Sequence, residues 1–390
     1  MSTLVRNVPT QEPARPSQLR HDGFSVTEVD PRTEPDWDAF VLAHPRALVY
    51  HHSAWLQALE REHGSAPICL ACKDDAGRTR GVMPLLPTRG LPFHLGGAVT
   101  GRRLSSLPRT PVAGPLALDR SAELALVQAA IRGVRAWPGH TLQLKLASDE
   151  LGGLVEGLAI VPWRLTYVLD LPECPTQLRI GGSRHQAHHV RWSVNKAARQ
   201  GVQVRVAESE DELRAWYGLY LDSMRWHVVP PRPYRLFQAC WEQLRPLGLM
   251  RLLLAEQHDS GRRALVAGSV FLMLGQTVCY AFNGWLRQGA ALHANDTILW
   301  RAIHDASAEG FRHMDFGEVS ADNAGLAEFK HKWGAEPRRL YHCYYPAPRA
   351  AEMDPYEIGR FGANRLLSEL WHTVPLRATV PVGDWIYSRL

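Results

Sequence analysis

The chain has 390 residues, 45% of them hydrophobic, with a formal net charge of +5. That length supplies two or three cores of about 150 residues each and excludes a small disulfide-stapled scaffold. The mildly basic balance suits an anionic partner without demanding one. Six cysteines include a single CxxC, Cys69 and Cys72, inside an expected strand, so they read as reduced thiols rather than half of a metal site. No N-terminal apolar run of signal-peptide length is present, and no stretch approaches the roughly 20 apolar residues of a membrane span. A cytoplasmic protein without a transmembrane segment is expected.

Residues 1–22 contain three prolines and no aromatic residue and read as a disordered leader. From Gly23 a strand (FSVTEV) leads to a short helix (DWDAFVLAH) and an amphipathic helix over 50–64 with Trp55, Leu56 and Leu59 inward. PICLACK, the turn DDAGR and GVMPLLPTR then predict a hairpin. The same design returns as MRLLLAEQ, the turn HDSGRR and ALVAGSVFLM. Both turns place Asp-x-Gly-Arg where Asp bonds its own backbone and Gly accepts a positive φ, which suggests an internal duplication. A helix (AELALVQAAIRGVRAW), a strand (TLQLKLA), a short helix and a strand (WRLTYVLDL) close the first half near residue 171.

The second half opens on the most basic segment. Residues 179–205 hold six Arg or Lys and three His with no acidic residue. On a helix from about Ser183, Arg184, His188, Arg191, Asn195 and Arg199 share one face, while Ala187, Val190, Val194 and Ala197 share another. Such a stripe sums its field over a polyanion, or simply keeps a surface helix solvated. Two helices follow (ELRAWYGLYLDSMRWH and the segment after PPRP), then strands over 250–257, 264–274 and 277–283. Asn295 or Asp296 reads as the N-cap of a helix with Leu299, Ile303 and Ala306 inward. Its free amide donors suit an anion.

Residues 310–334, GFRHMDFGEVSADNAGLAEFKHKWG, look most like a site for chemistry. Gly310 reads as a helix stop. A short strand and a polar loop follow, and then Leu326, Phe329 and Trp333 recur at helical spacing. Lys330 stands next to that apolar stripe, its stem partly buried and its ammonium aimed by packing. The strand RLYHCYY ends the domain near Pro348, and the tail to 390 reads as a helical extension that packs on the body of the protein.

Several of these segments resemble the FemABX and BioF2-like acyltransferases, which are tandem GNAT-fold proteins. The residues that carry the likeness are GRRLSSLPRTPVAGPL (101–116), HVRWSVNKAARQGVQV (189–204) and AEGFRHMDFG (308–317), followed by Gly325-Leu326, Phe329-Lys330 and Trp333-Gly334. The resemblance implies an α+β fold of two GNAT-like domains, each a mixed, mainly antiparallel sheet flanked by helices. These would span 23–171 and 172–348, the second being catalytic, with an extension over 349–390.

It implies Lys330 as the residue that steadies the tetrahedral intermediate of acyl transfer. Glu318 or Asp322 is then a candidate for proton removal and Asp315 for holding a substrate ammonium. Arg184, Arg191 and Lys196 become phosphate contacts, as do Arg102, Arg103 and Arg109 on a substrate-facing loop. Phe329 and Trp333 fall beside the substrate. Arg287, Gln288 and Gly289 only approximate the usual coenzyme A loop, and Asn295, at the start of the following helix, is the other donor contact. The helix at 50–64 keeps Ser53 and Trp55 of the bridge-forming enzymes but lacks their following lysine.

The expected activity is transfer of an acyl or aminoacyl group, from acyl-CoA or aminoacyl-tRNA, onto an amine of an envelope precursor, polysaccharide or metabolite. No tightly bound cofactor or metal is expected; tRNA and a membrane surface are the macromolecular partners to consider. Two other classes stay open: a catalytically silent GNAT-like binding module, and an RNA-binding protein using the 179–205 helix.

Overall fold

The computed structural model describes residues 19–21, 23–90, 102–137, 139–259, 261–348, 369 and 371–389. Most of the expected leader and much of the segment 349–370 lie outside the described residues. In chain order the first half runs β1 (Leu19–His21), β2 (Phe24–Val29), α1 (Pro35–Ala43), α2 (Ser53–His63), β3 (Ile68–Asp74), β4 (Thr79–Thr88), β5 (Arg103–Ser105), β6 (Leu116–Ala117), α3 (Arg120–Ala136), β7 (Thr141–Leu146) and β8 (Ala159–Asp170). The second half runs α4 (Arg184–Arg199), β9 (Val202–Val206), α5 (Glu210–Trp226), α6 (Tyr234–Gln243), β10 (Met250–Asp259), β11 (Arg262–Leu274), β12 (Thr277–Trp285), α7 (Ala294–Ala308), β13 (His313–Val319), α8 (Ala324–His331) and β14 (Glu336–Tyr345). A last helix, α9 (Leu376–Tyr387), follows.

Two local expectations are corrected. The end of the expected leader is structured, because Leu19–His21 pairs with β2. The short helix expected between β7 and β8 is replaced by turns. Gly153 and Gly157 there hold left-handed φ values of 73° and 76°, which no helix continues through.

All described strands join one sheet, in the order β1-β2-β3-β4-β5-β7-β14-β8-β13-β12-β11-β10-β9, with β6 beside β4. The two halves therefore trade strands. β14, the last strand of the second half, lies between β7 and β8, and β8 pairs on its other edge with β13. Strand alternation feeds three cores. On β10, Met250, Leu252 and Leu254 face the layer of α1, α2, α5 and α6, while Leu253 and Ala255 face α4 and α7. On β3, Cys69 joins the first of these cores and Cys72 the core beneath α3. The CxxC spacing thus puts the two thiols on opposite faces of the sheet.

The repeated hairpins recur as structure. β3–β4 and β10–β11 are both antiparallel pairs with a register shift near the turn, and Gly77 and Gly261 turn the chain at φ 77° and 79°. The duplication extends to a feature that carries the site. β5 pairs β7 in parallel for three residues, and β12 pairs β13 in parallel for three residues. Beyond Ser105/Gln143 and Cys279/Asp315 the partners separate. Each half thus contains a fork in its sheet.

Candidate active site

At the second fork, Lys330 is the one buried residue of α8, 4% exposed. This reverses the expected helix face: Leu326 is 37% exposed, and the lysine itself points inward. Its Nζ donates to Gly317 O at 2.8 Å and Glu318 O at 3.1 Å, on the strand leaving the fork. Burial pulls its pKa down to about 8, against the attraction of Asp315 and Glu318. Trp333, just beyond the helix, is fully enclosed in the second core, so it supports this turn from below and has no face left for a substrate.

Asp315 is the last residue of β13 paired with β12. One of its oxygens accepts Thr166 Oγ1 at 2.6 Å and Gly317 N at 2.7 Å. Burial raises its pKa, opposed by these bonds and by Lys330. Those partners make it an organiser of the turn whose carbonyls hold Lys330. Glu318 is also raised by burial, with Lys145, Arg164 and a hydrogen bond from Trp163 opposing; the Arg164 guanidinium lies 3.8 Å away.

Lys145 is a site residue the sequence reading missed. It lies at the first fork, on β7 two residues past the last one paired with β5, and is 6% exposed. Its Nζ donates to Leu107 O at 2.8 Å. Burial lowers its pKa to about 7, with Glu318 pulling the other way. The signal was available: only five lysines occur among 44 basic residues, and this one interrupts the apolar strand TLQLKLA. Lysine can shed its charge when buried, and arginine does not.

Between the forks, the face turned toward the first core is polar. Arg103, Ser105, Gln143, Lys145, His342 and Tyr344 are all buried there, while Leu104, Leu142, Leu144 and Cys343 point to the α3 core. Ser105 Oγ donates to Gln143 Oε1 at 3.1 Å, and Gln143 Nε2 reaches Tyr344 OH at 3.3 Å. His342 stacks on Trp163 at 4.0 Å between centroids. Burial drives its pKa well down, so the ring is neutral.

Two cavities meet at Trp285. One, of about 270 Å³, is lined by Val266, Gly289, His293, Asn295, Phe329 and Lys332 among others. It opens on the N-terminus of α7. The cap there is His293, in a left-handed conformation at φ 53°, rather than Asn295 or Asp296. Asp296 instead binds Lys332 Nζ at 2.7 Å, and Asn295 Oδ1 is buried without a partner. The other cavity, of about 290 Å³, lies between α5, β12 and α9, with Arg109, Arg232, Phe282 and Tyr387 in its lining.

The remaining expected residues distribute unevenly. Arg184 and Arg191 are exposed on α4, as are His188, Asn195 and Arg199. Lys196 sits 5.0 Å above Trp192, whose ring meets His293 edge-on at 5.3 Å, so this residue of α4 leads to the α7 cavity. Arg287 stacks on Trp226 at 3.5 Å and lines neither cavity. Arg102 is exposed, whereas Arg103 is buried, its pKa lowered to about 10 by desolvation and its Nε unpartnered.

A parallel strand pair that forks, repeated in each half, is decisive for the architecture. This is the GNAT fold, present twice. Residues 184–331 match the acetyltransferase (GNAT) domain family. The crystal structure of FemX superposes with a TM-score of 0.62 at 14% identity, covering 81% of this chain and 96% of that one. L-PGS from Bacillus licheniformis gives 0.55 at 12% identity, over 86% and 98% of the two chains. The C-terminal domain of a putative lysylphosphatidylglycerol synthetase from Agrobacterium fabrum gives 0.53 at 12%, over 85% and 95%. No curated protein matches the chain in sequence. Among the described residues, no GNAT helix or other helix is long and apolar enough to cross a membrane.

Proposed function

We propose that the chain transfers an activated acyl or aminoacyl group, from acyl-CoA or aminoacyl-tRNA, directly onto an amine. The observation that carries this reading is the Lys330 ammonium, enclosed at the fork of β12 and β13 with two of its three donors taken by backbone carbonyls. The third N–H is left for an oxygen in the fork. Attack of an amine on a thioester or ester carbonyl puts negative charge on that oxygen. A fixed cation in a water-poor site stabilises it without reorganising at the moment of reaction.

The amine forms the new C–N bond, the C–S or C–O bond to the donor breaks, and the amine's proton leaves. Glu318 takes that proton in this scheme, its proton affinity raised by burial. Asp315 keeps Gly317 and Glu318 in place. The donor's anionic portion lies in the 270 Å³ cavity in this scheme, where the α7 N-terminus and the Lys196–Trp192 pair favour negative charge, Lys332 being matched by Asp296. The acceptor is an amine of an envelope precursor, polysaccharide or metabolite.

A second reading has one observation in its favour. The exposed Arg184–Arg191–Arg199 face of α4 is bonded to no carboxylate among the described residues and fits RNA. The two readings separate in one experiment. The purified protein is incubated with labelled acyl-CoAs and charged tRNAs in the presence of an amine panel, and products are identified by mass spectrometry. Protein-dependent amide formation supports the transferase. No transfer from either donor class, with steeply salt-dependent RNA binding indifferent to charging, replaces it with an RNA-binding protein.

A further inference from the structure

Each fork holds one buried ammonium, Lys145 in the first half and Lys330 in the second. Lys145 bridges its fork. It stands two residues beyond the last pairing of β7 with β5, and its Nζ donates at 2.8 Å to the carbonyl of Leu107, two residues beyond the same pairing on the other strand. Its backbone N–H donates to Ser106 Oγ at 2.8 Å, so two bonds from one residue fix the ammonium where the strands part. It makes no ion pair among the described residues. Burying a charge without a paired carboxylate costs stability, and groups so placed concentrate at functional sites.

The opposite charge within its reach is Glu318. Lys145 pairs in register with His342 of β14, so the two side chains are neighbours on one face of the sheet. The His342 ring stacks on Trp163 at 4.0 Å, and Trp163 donates a hydrogen bond to the Glu318 carboxylate. One packed row thus runs from the lysine of the first half to the carboxylate of the second. The charges that act most on Lys145 are Arg103, Arg109 and Arg232, which repel it, and Glu318, which attracts it; His342 beside it is neutral. Those acting on Glu318 are Lys145, Arg164, Arg109 and Lys330. Arg164 is only 3.8 Å away, but its side chain is 28% exposed and lies over the Trp163 ring, so water screens it. Lys145 is cut off from water, and its pull on the carboxylate is the larger.

We propose that Lys145 is the counter-ion of Glu318: the ammonium fixed in the first fork keeps the carboxylate at the second fork in the form that takes the amine's proton. Lys145 is a positioning residue and touches no substrate. The proton passes from the amine nitrogen to a Glu318 oxygen and leaves to water on that side chain's open flank, 21% exposed, while Lys145 keeps all of its own. Below about pH 7 Lys145 is charged, and there burial would otherwise favour the protonated form of Glu318. What the carboxylate does rests on the transferase reading; its pairing with Lys145 does not.

The pairing is tested without substrate. The chain has five lysines, so each is titrated by NMR with lysine labelled with 13C at Cε, Lys145 being assigned by its loss in Lys145→Met. Glu318→Gln should lower the Lys145 midpoint by about half a pH unit or more and leave Lys73 and Lys196 unmoved. A Lys145 midpoint that stays in place overturns the pairing. Should Glu318→Gln not fold, the parent carries the same test: its Lys145 resonance should show a second, acidic inflection where Glu318 titrates, and the absence of that inflection overturns the pairing equally.

The role is read from kcat/KM against pH, with the donor and amine that the transfer screen identifies. The working form of Glu318 is the carboxylate, so its titration is the acid limb. Lys145→Met removes an attracting charge and should move that limb up by about one pH unit, and Lys145→Arg should return it. A lysine that served only to hold the turn would lower the rate at every pH and leave the limb in place. Amide transfer with a fixed limb would leave the transferase standing and this role fallen. Coupled titration in a protein that transfers nothing would leave the pairing standing and remove both the transferase and the role.

Discussion

Glu62 and Arg232 form the ion pair most deeply set between the halves. Glu62, on α2, is fully buried, and the Arg232 side chain is 5% exposed. Arg232 Nε reaches Glu62 Oε1 at 2.7 Å, and a second guanidinium nitrogen bonds the other oxygen. The Arg232 backbone is tied to Tyr217 and Tyr220 of α5. Removing one partner leaves the other charge in a place water does not reach, which costs about 3–5 kcal/mol, against less than about 1 kcal/mol for a surface pair. Glu62→Met and Arg232→Met should therefore each lower the urea midpoint sharply, followed by tryptophan fluorescence and far-UV circular dichroism together. The double variant, with neither charge present, should recover most of the loss. Single variants within about 1 kcal/mol of the parent, or a double variant equal to the sum of the singles, would refute the placement of this pair in a dry seam.

Three further outcomes follow from particular residues. Lys330 titrates near 8 when folded, below its ordinary 10.5, so between those values the unfolded chain binds the extra proton and stability rises with pH. Lys330→Met should be more stable than the parent at pH 7, by less than about 3 kcal/mol because two carbonyls lose their donor. That advantage should shrink toward pH 10.5, and its absence at pH 7 would count against the buried charge. In native protein a thiol reagent should label Cys174 alone quickly, since its pKa is lowered by its hydrogen bond to Thr176 and the other five thiols are buried; fast reaction of two or more would contradict the strand faces assigned to Cys69 and Cys72. Gly284→Ala should destabilise by about 1–3 kcal/mol, measured by thermal melting, because its new methyl would lie 2.5 Å from Tyr220 N and push α5 off β12.

What could be read from the sequence was what local pattern controls. The Ser183 cap and the helix after it, the two Asp-x-Gly-Arg hairpins and the stop at Gly310 were all legible, because each depends on neighbours a few residues away. The strand exchange that seats β14 between β7 and β8 was not, since its partners lie some 180 residues apart and no local signal sets that register. Lys330 is legible through its motif, and its packed, aimed ammonium is as expected; what fails is Leu326 on the buried face, because the fork draws the lysine inward in its place. Lys145 stayed hidden for a related reason. Its place comes from which strands part company, and a three-residue parallel pairing leaves no periodicity to detect.

The central claim is that a charged Lys330 stabilises oxygen at the fork, and turnover of Lys330→Met tests it most directly. With whichever donor and amine the transfer screen identifies, kcat should fall by about 10²–10³ with KM within a few-fold of the parent. In the parent, kcat should decline as pH passes about 8, where the ammonium is lost. A variant whose kcat stays within about threefold of the parent, far short of the loss expected on removing such a donor, would contradict the account.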